Sequence, residues 1–137
     1  MKLIYVAGPF SAPTREGVEA NIARAVRLGL EVARIGCMPV IPHANTAHPD
    51  FEMLQPYQFW IAGTIELLRR CHAVILTENW EISSGARAEK ADAESRGQPV
   101  FFTVAELEKW NQETGSRVLS RCATLEDAAG EIERGLL

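Results

Sequence analysis

Short apolar runs alternate along this chain with longer segments in which apolar residues recur at helical spacing. Such alternation is typical of a parallel sheet, because each parallel crossover needs a connection long enough to hold a helix. The runs predict strands at residues 2–7, 38–41, 73–76 and 100–102, with a weak fifth strand at Val118 and Leu119. We therefore expect an α/β three-layer sandwich with a mostly parallel sheet of four or five strands.

Cap residues predict where the intervening helices begin and end. The predicted helices run from a Thr14 cap to Gly36, over residues 57–70, from Ser83 or Ser84 to near Gly97, from a Thr103 and Glu106 capping box through Trp110, and from Thr124 toward Ile132. The stretch from Pro42 to Pro56 contains three prolines. We expect it to be an irregular loop with no regular helix, long enough for a binding role.

Right-handed crossovers would place the first strand between the second and the third, in a Rossmann or flavodoxin-like order 2-1-3-4(-5). In open α/β sheets, ligands bind beyond the carboxyl ends of strands where the strand order reverses. Here that point lies between strands one and three. We expect the loop Gly8-Pro9-Phe10 and the segment Glu78 to Ser84 to converge there.

Composition limits the classes of partner. The 137 residues, 47% of them hydrophobic, fit a single domain over residues 1–137. A net charge of −4 with scattered Lys and Arg argues against DNA or RNA as partners. No apolar run approaches the roughly 20 residues that span a bilayer. We therefore expect a cytoplasmic protein without membrane association. The cysteines and histidines are too widely separated to suggest a metal site or a disulfide framework.

The segment Ser83-Ser84-Gly85 predicts a binding site at a helix start, with Glu89 about one turn further on. Unpaired backbone N–H groups and the helix dipole could hold an anion at these three residues. A carboxylate beside an anion is better suited to chemistry on another part of the ligand than to binding the anion itself.

Three segments together resemble the nucleoside 2-deoxyribosyltransferase superfamily: Ile4 to Phe10, Leu68 to Val74, and Ser83-Ser84-Gly85 followed by Glu89. The resemblance covers roughly residues 2 to 102, and is nearest to small transferase-like proteins and to N-hydrolases of nucleoside 5′-monophosphates. It implies that Glu89 is the nucleophile that attacks C1′ of the sugar and that Tyr5 orients it. It also implies a homodimer or higher homo-oligomer, without a cofactor.

The position six residues before the nucleophile separates the branches of the superfamily. Transferases have an aspartate there, monophosphate hydrolases have serine, and this chain has Ser83. A serine hydroxyl can donate a hydrogen bond to a 5′-phosphate, whereas a carboxylate would repel it. The resemblance therefore favours an N-glycosidase of (deoxy)nucleoside 5′-monophosphates, with base exchange as the alternative activity.

The family's second carboxylate aligns with Thr64, which cannot protonate a departing base. Glu66 and His43 are candidate replacements, the latter because histidine titrates near neutrality. Without a second acid, the chain could instead be a non-catalytic nucleotide-binding or sensing domain. The remaining candidate contacts to a nucleoside or nucleotide are Gly8, Pro9, Phe10, His43, Asn45, Trp80, Ser83, Ser84 and Gly85.

Overall fold

A computed structural model describes residues 1–115, apart from the side chains of Pro49 and Glu52, and within them the strands form one parallel sheet. The strands are β1 (Leu3–Ala7), β2 (Met38–Val40), β3 (Ala73–Leu76) and β4 (Val100–Phe101). Their order is β2-β1-β3-β4, which confirms the predicted order for four strands. The predicted fifth strand at Val118 and the helix from Thr124 lie outside the described residues.

Six helices surround this sheet within the described residues. They are α1 (Arg15–Arg34), α2 (Pro42–Asn45), α3 (Pro49–Glu52), α4 (Tyr57–Arg70), α5 (Ser84–Ser95) and α6 (Val104–Gly115), with a 3₁₀ turn at Trp80–Ile82. The side chains of Thr14 and Ser83 each accept a backbone N–H at 3.1 Å, so both predicted caps are confirmed. None of these helices is long and apolar enough to cross a membrane.

The prediction that residues 42–56 hold no helix is wrong, because α2 and α3 each form one turn there. In both, a proline occupies the first helical position, where its missing N–H is not needed. The His48 side chain accepts the backbone N–H of Asp50 at 3.3 Å and caps α3. Prolines spaced along this stretch therefore start short helices and limit their length.

Alternate residues of β1 face opposite layers. Ile4 and Val6 pack into a core cluster with residues of α1 and α6, whereas Tyr5 and Ala7 pack with residues of α4 and α5. All four of these β1 side chains are fully buried. This alternation directs Tyr5 toward α5, the helix that carries Glu89.

Candidate active site

A cavity of about 550 Å³ lies at the carboxyl ends of the strands, where the strand order reverses. Its wall is formed by the loop after β1, by α2 to α4 and by the first turns of α5. The predicted contacts that line it are Gly8, Pro9, Phe10, His43, Ser83, Ser84, Gly85 and Glu89. The segments predicted to converge do so at this cavity.

Glu89 lies in the second turn of α5 and is held by Tyr5. The Tyr5 hydroxyl donates a hydrogen bond of 2.7 Å to Oε1 of Glu89. Burial raises the pKa of Tyr5, and the nearby Glu89 raises it further. The phenol therefore remains protonated and keeps its donor role across the neutral pH range.

Burial raises the pKa of Glu89 to about 7, and the hydrogen bond from Tyr5 opposes part of that shift. A half-buried carboxyl with such a pKa is present in both charge states near neutral pH. A carboxylate that is poorly hydrated and held in one orientation is suited to nucleophilic attack. Perturbed pKa values of this kind cluster at functional sites.

Thr64 lies beside this pair on α4 and lines the cavity. Its hydroxyl donates to the backbone oxygen of Ile61 at 2.9 Å. Glu66, two residues along the helix, forms an ion pair with Arg70, which lowers the pKa of the Glu66 carboxyl. Glu66 is not part of the cavity wall, so the structure does not bring this candidate acid to Glu89.

His43 is 6% exposed and contacts the loop after β1. Its Nε2 lies 2.9 Å from the carbonyl oxygen of Gly8 and 3.1 Å from that of Pro9. Carbonyl oxygens only accept, so Nε2 carries the proton. Burial lowers the pKa of His43, which makes its Nδ1 a bare acceptor, and Nδ1 has no hydrogen-bond partner among the described side chains and backbone.

Gly8 is required where β1 approaches β3 closely. A Cβ at this position would lie 2.4 Å from Oγ1 and 2.7 Å from Cγ2 of Thr77, a residue that is itself buried. The loop is thus confined by Thr77 and, through the two carbonyls, by His43. This confinement positions Phe10, whose ring centroid lies 6.0 Å from that of His43.

Gly8→Ala should lower the free energy of unfolding by about 1–3 kcal/mol, because the added methyl overpacks the contact with Thr77. Urea denaturation at fixed pH measures the loss. Gly63→Ala is the matched control, because nothing lies within 4 Å of its added Cβ in α4. That control should be neutral or more stable by up to about 1 kcal/mol. Equal stability of Gly8→Ala and the wild type would contradict the assigned close approach.

Ser83, Ser84 and Gly85 form the start of α5 on the cavity wall. The oxygen of the Ser83 side chain accepts the N–H of Ala86 and is occupied as a cap. Among the described residues that line the cavity, Glu89 is the one carboxylate and there is no Lys or Arg. The described wall therefore offers a phosphate helix amides and hydroxyls, without a cationic side chain.

Two predicted contacts lie elsewhere. Trp80 packs against the core cluster between the sheet and α5, with its ring 6.0 Å from that of Phe102. Asn45 lines a separate surface groove with Val40 and Leu67. Neither residue is among the described residues that line the cavity with Glu89.

Several residues of the cavity wall were not predicted from the sequence. Apart from Thr64, they are Ser11, Pro42, Thr46, Phe51, Gln55, Tyr57, Trp60, Ile61, Ile82 and Ala86. The aromatic residues clustered between positions 51 and 60, beside a proline-rich stretch, were the available signal. An aromatic cluster near a binding loop is typical of a ligand pocket.

A family model described as a domain of unknown function, DUF7768, matches residues 2–103. Solved structures of similar fold include the 2-deoxyribosyltransferase from Bacillus psychrosaccharolyticus, with a TM-score of 0.52 and 20% identity over 72% of this chain and 69% of that chain. A 2-desoxiribosyltransferase from Leishmania mexicana has a TM-score of 0.52 and 20% identity, over 74% of this chain and 63% of that chain. The predicted resemblance to deoxyribosyltransferases is confirmed at the level of the fold.

A curated relative is similar to the chain in sequence. It is the glycerol-1-phosphate dehydrogenase [NAD(P)+] of Thermoplasma acidophilum, 26% identical over 117 residues. The match covers 81% of this chain and 31% of that enzyme. The chain thus spans about a third of the length of this relative.

Proposed function

Since the chain belongs to the DUF7768 family of domains of unknown function, we propose its activity from its own site: transfer of the sugar of a nucleoside from one base to another. Glu89 is the nucleophile of this reaction. The hydrogen bond between Tyr5 and Glu89 on the wall of the cavity carries the proposal. The fold shared with deoxyribosyltransferases supports transfer ahead of the hydrolysis predicted from the sequence.

The reaction has two displacements. An oxygen of the Glu89 carboxylate attacks C1′, the bond from C1′ to the base nitrogen breaks, and its electron pair leaves with the base. A second base then attacks C1′ of the glycosyl ester through a ring nitrogen, releases the carboxylate and gives up the proton of that nitrogen, while the departed base takes up a proton from solvent. Each displacement inverts C1′, so the product retains the original configuration. Tyr5 holds the carboxylate in one orientation throughout.

The charge of the cavity wall favours a nucleoside over its 5′-monophosphate. Glu89 is the charged residue of the described wall, and a phosphate bound nearby would repel its ionised form. The nucleoside proposed here therefore differs from the 5′-monophosphate that Ser83 predicted, although the Ser83 hydroxyl keeps its own O–H while it caps α5.

Hydrolysis of 5′-monophosphates is the second candidate, because the start of α5 opens onto the cavity. Ser84 and Gly85 are exposed there, and N–H groups at a helix start can bind phosphate. Water would then replace the acceptor base in the second displacement.

Chromatography of a panel of nucleosides and their 5′-monophosphates, with and without an added second base, tests both candidates. Transfer predicts a new nucleoside when the acceptor base is present. Release of free base from monophosphates alone, without an acceptor, would favour the hydrolase. Nucleotide-induced thermal stabilisation with no cleavage of any substrate would favour the non-catalytic binding domain.

A further inference from the structure

Among the described residues, the wall of the cavity has Glu89 as its one carboxylate, and three side-chain donors around it are already hydrogen-bonded within the protein. Tyr5 donates to Glu89, and Thr64 donates to the backbone oxygen of Ile61. The Nε2–H of His43 donates to the carbonyls of Gly8 and Pro9. A neutral base leaves C1′ as an anion unless an acid protonates it, which is normally the task of a second side chain.

We propose that the preferred substrate is a nucleoside whose base is a cationic ring joined to C1′ through its charged nitrogen, as in a pyridinium nucleoside. This inference rests on the proposed function, since it names the substrate class of the same site. When the bond from C1′ to the ring nitrogen breaks, its electron pair neutralises the ring. The base departs neutral, Glu89 gains the bond to C1′, and no proton moves.

The second displacement breaks the glycosyl ester and restores the carboxylate of Glu89. A nitrogen of the acceptor base, or a water oxygen, attacks C1′ and the bond from C1′ to Glu89 breaks. The carboxylate recovers its electron pair and the acceptor loses a proton to solvent. Neither displacement therefore needs a proton from Tyr5, Thr64 or His43, and these side chains can keep the hydrogen bonds described above.

The cavity wall suits a flat cation. Aromatic residues Phe10, Phe51, Tyr57 and Trp60 line it together with the carboxylate of Glu89. The faces of aromatic rings attract cations, and an opposite charge near Glu89 favours the ionised form of that carboxyl. Binding of a cationic base would therefore also prepare the nucleophile.

His43 supplies an independent observation. His43 lines the cavity, and its Nδ1 is buried with no partner among the described residues, although buried polar atoms usually have one. Because Nε2 carries the proton, Nδ1 accepts but does not donate. In this state His43 has no free N–H with which to protonate a departing base.

The test compares nicotinamide riboside with uridine, which has the same sugar and a neutral base. Chromatographic release of base is measured for each and divided by the uncatalysed rate, because pyridinium nucleosides are intrinsically more labile. The wild type should show a rate enhancement at least about 10²-fold larger for nicotinamide riboside, the lower end of what a missing general acid costs. Glu89→Gln should abolish both activities.

Thr64→Asp places a carboxyl group beside Tyr5 and Glu89, and Thr64→Asn is the uncharged control of nearly the same size. Thr64→Asp should shift the ratio of the two rates at least about 10-fold toward uridine, whereas Thr64→Asn should not. Circular dichroism checks that both variants fold, and if Thr64→Asp does not, the wild-type ratio decides. Equal enhancement of the two substrates by the wild type would overturn the cationic substrate and leave the proposed function standing. Release from neither substrate by folded wild type would overturn both.

Discussion

Glu89→Gln should lower kcat/KM for release of base at least about 10³-fold, because an amide does not form the glycosyl ester and loss of a nucleophile removes the covalent route. Glu89 sits on the cavity wall with its Oε1 held at 2.7 Å by the Tyr5 hydroxyl. The glutamine side chain has almost the same volume and can still accept that hydrogen bond. The loss therefore reports the chemistry of the carboxylate. Steady-state chromatography with the best substrate of the panel measures it.

Glu94→Gln is the matched control, because it makes the same change in the same helix. Glu94 is half exposed and pairs with Lys90 at 2.7 Å, away from the cavity wall. Loss of a surface ion pair should change stability by less than about 1 kcal/mol and leave kcat/KM within about twofold. Retained activity in Glu89→Gln, or equal loss in both variants, would contradict the nucleophile assignment.

The same Glu89→Gln variant should be more stable than the wild type at pH 8. Burial raises the pKa of Glu89 from its usual 4.5 to about 7. Its stabilising contribution is therefore complete below about pH 4.5 and is lost as pH rises through about 7. The glutamine amide stays neutral and does not lose this contribution. After allowance for partial solvent exposure, the free energy of unfolding of the variant at pH 8 should therefore exceed that of the wild type by about 1–2 kcal/mol. Urea denaturation at pH 5 and pH 8 should show a gain only at the higher pH.

Tyr5→Phe should lower kcat/KM by about 10–100-fold, since the carboxylate loses the hydrogen bond that orients it. It should also move the ascending limb of the pH profile of kcat/KM to higher pH. In the wild type that limb should have its midpoint near pH 7, because Glu89 must be ionised to attack. The Tyr5 hydrogen bond lowers the pKa of Glu89, so its removal raises that pKa further.

The pH midpoint distinguishes positioning of Glu89 from a packing role of Tyr5. Tyr5 is fully buried in the core cluster beneath α4 and α5, so its ring also contributes to stability. A purely structural role would reduce activity at every pH and leave the midpoint in place. Glu94→Gln, whose carboxylate lies outside the cavity wall, should keep the wild-type midpoint.

Local signals predicted the elements of the fold. Apolar spacing predicted α4 over residues 57–70, and the capping box of Thr103 and Glu106 forms, with Glu106 accepting the N–H of Thr103 at 3.2 Å. The prolines of residues 42–56 led to a wrong prediction of a loop without helix, because proline interrupts a long helix but can also start a short one. The strand order followed from right-handed crossovers between parallel strands.

Local sequence patterns were enough to predict the strands of the described sheet, the caps and the place of Glu89 near the start of a helix, since these depend on neighbours within a few residues. The family resemblance predicted that Tyr5 orients Glu89, and the packing of β1 against α5 produces the contact itself, a hydrogen bond of 2.7 Å between residues 84 positions apart. Only the tertiary structure decided the protonated nitrogen of His43 and the exclusion of Trp80 from the cavity. Side-chain directions of this kind depend on how distant elements pack, because a small rotation of a helix or turn moves a polar atom into or out of contact.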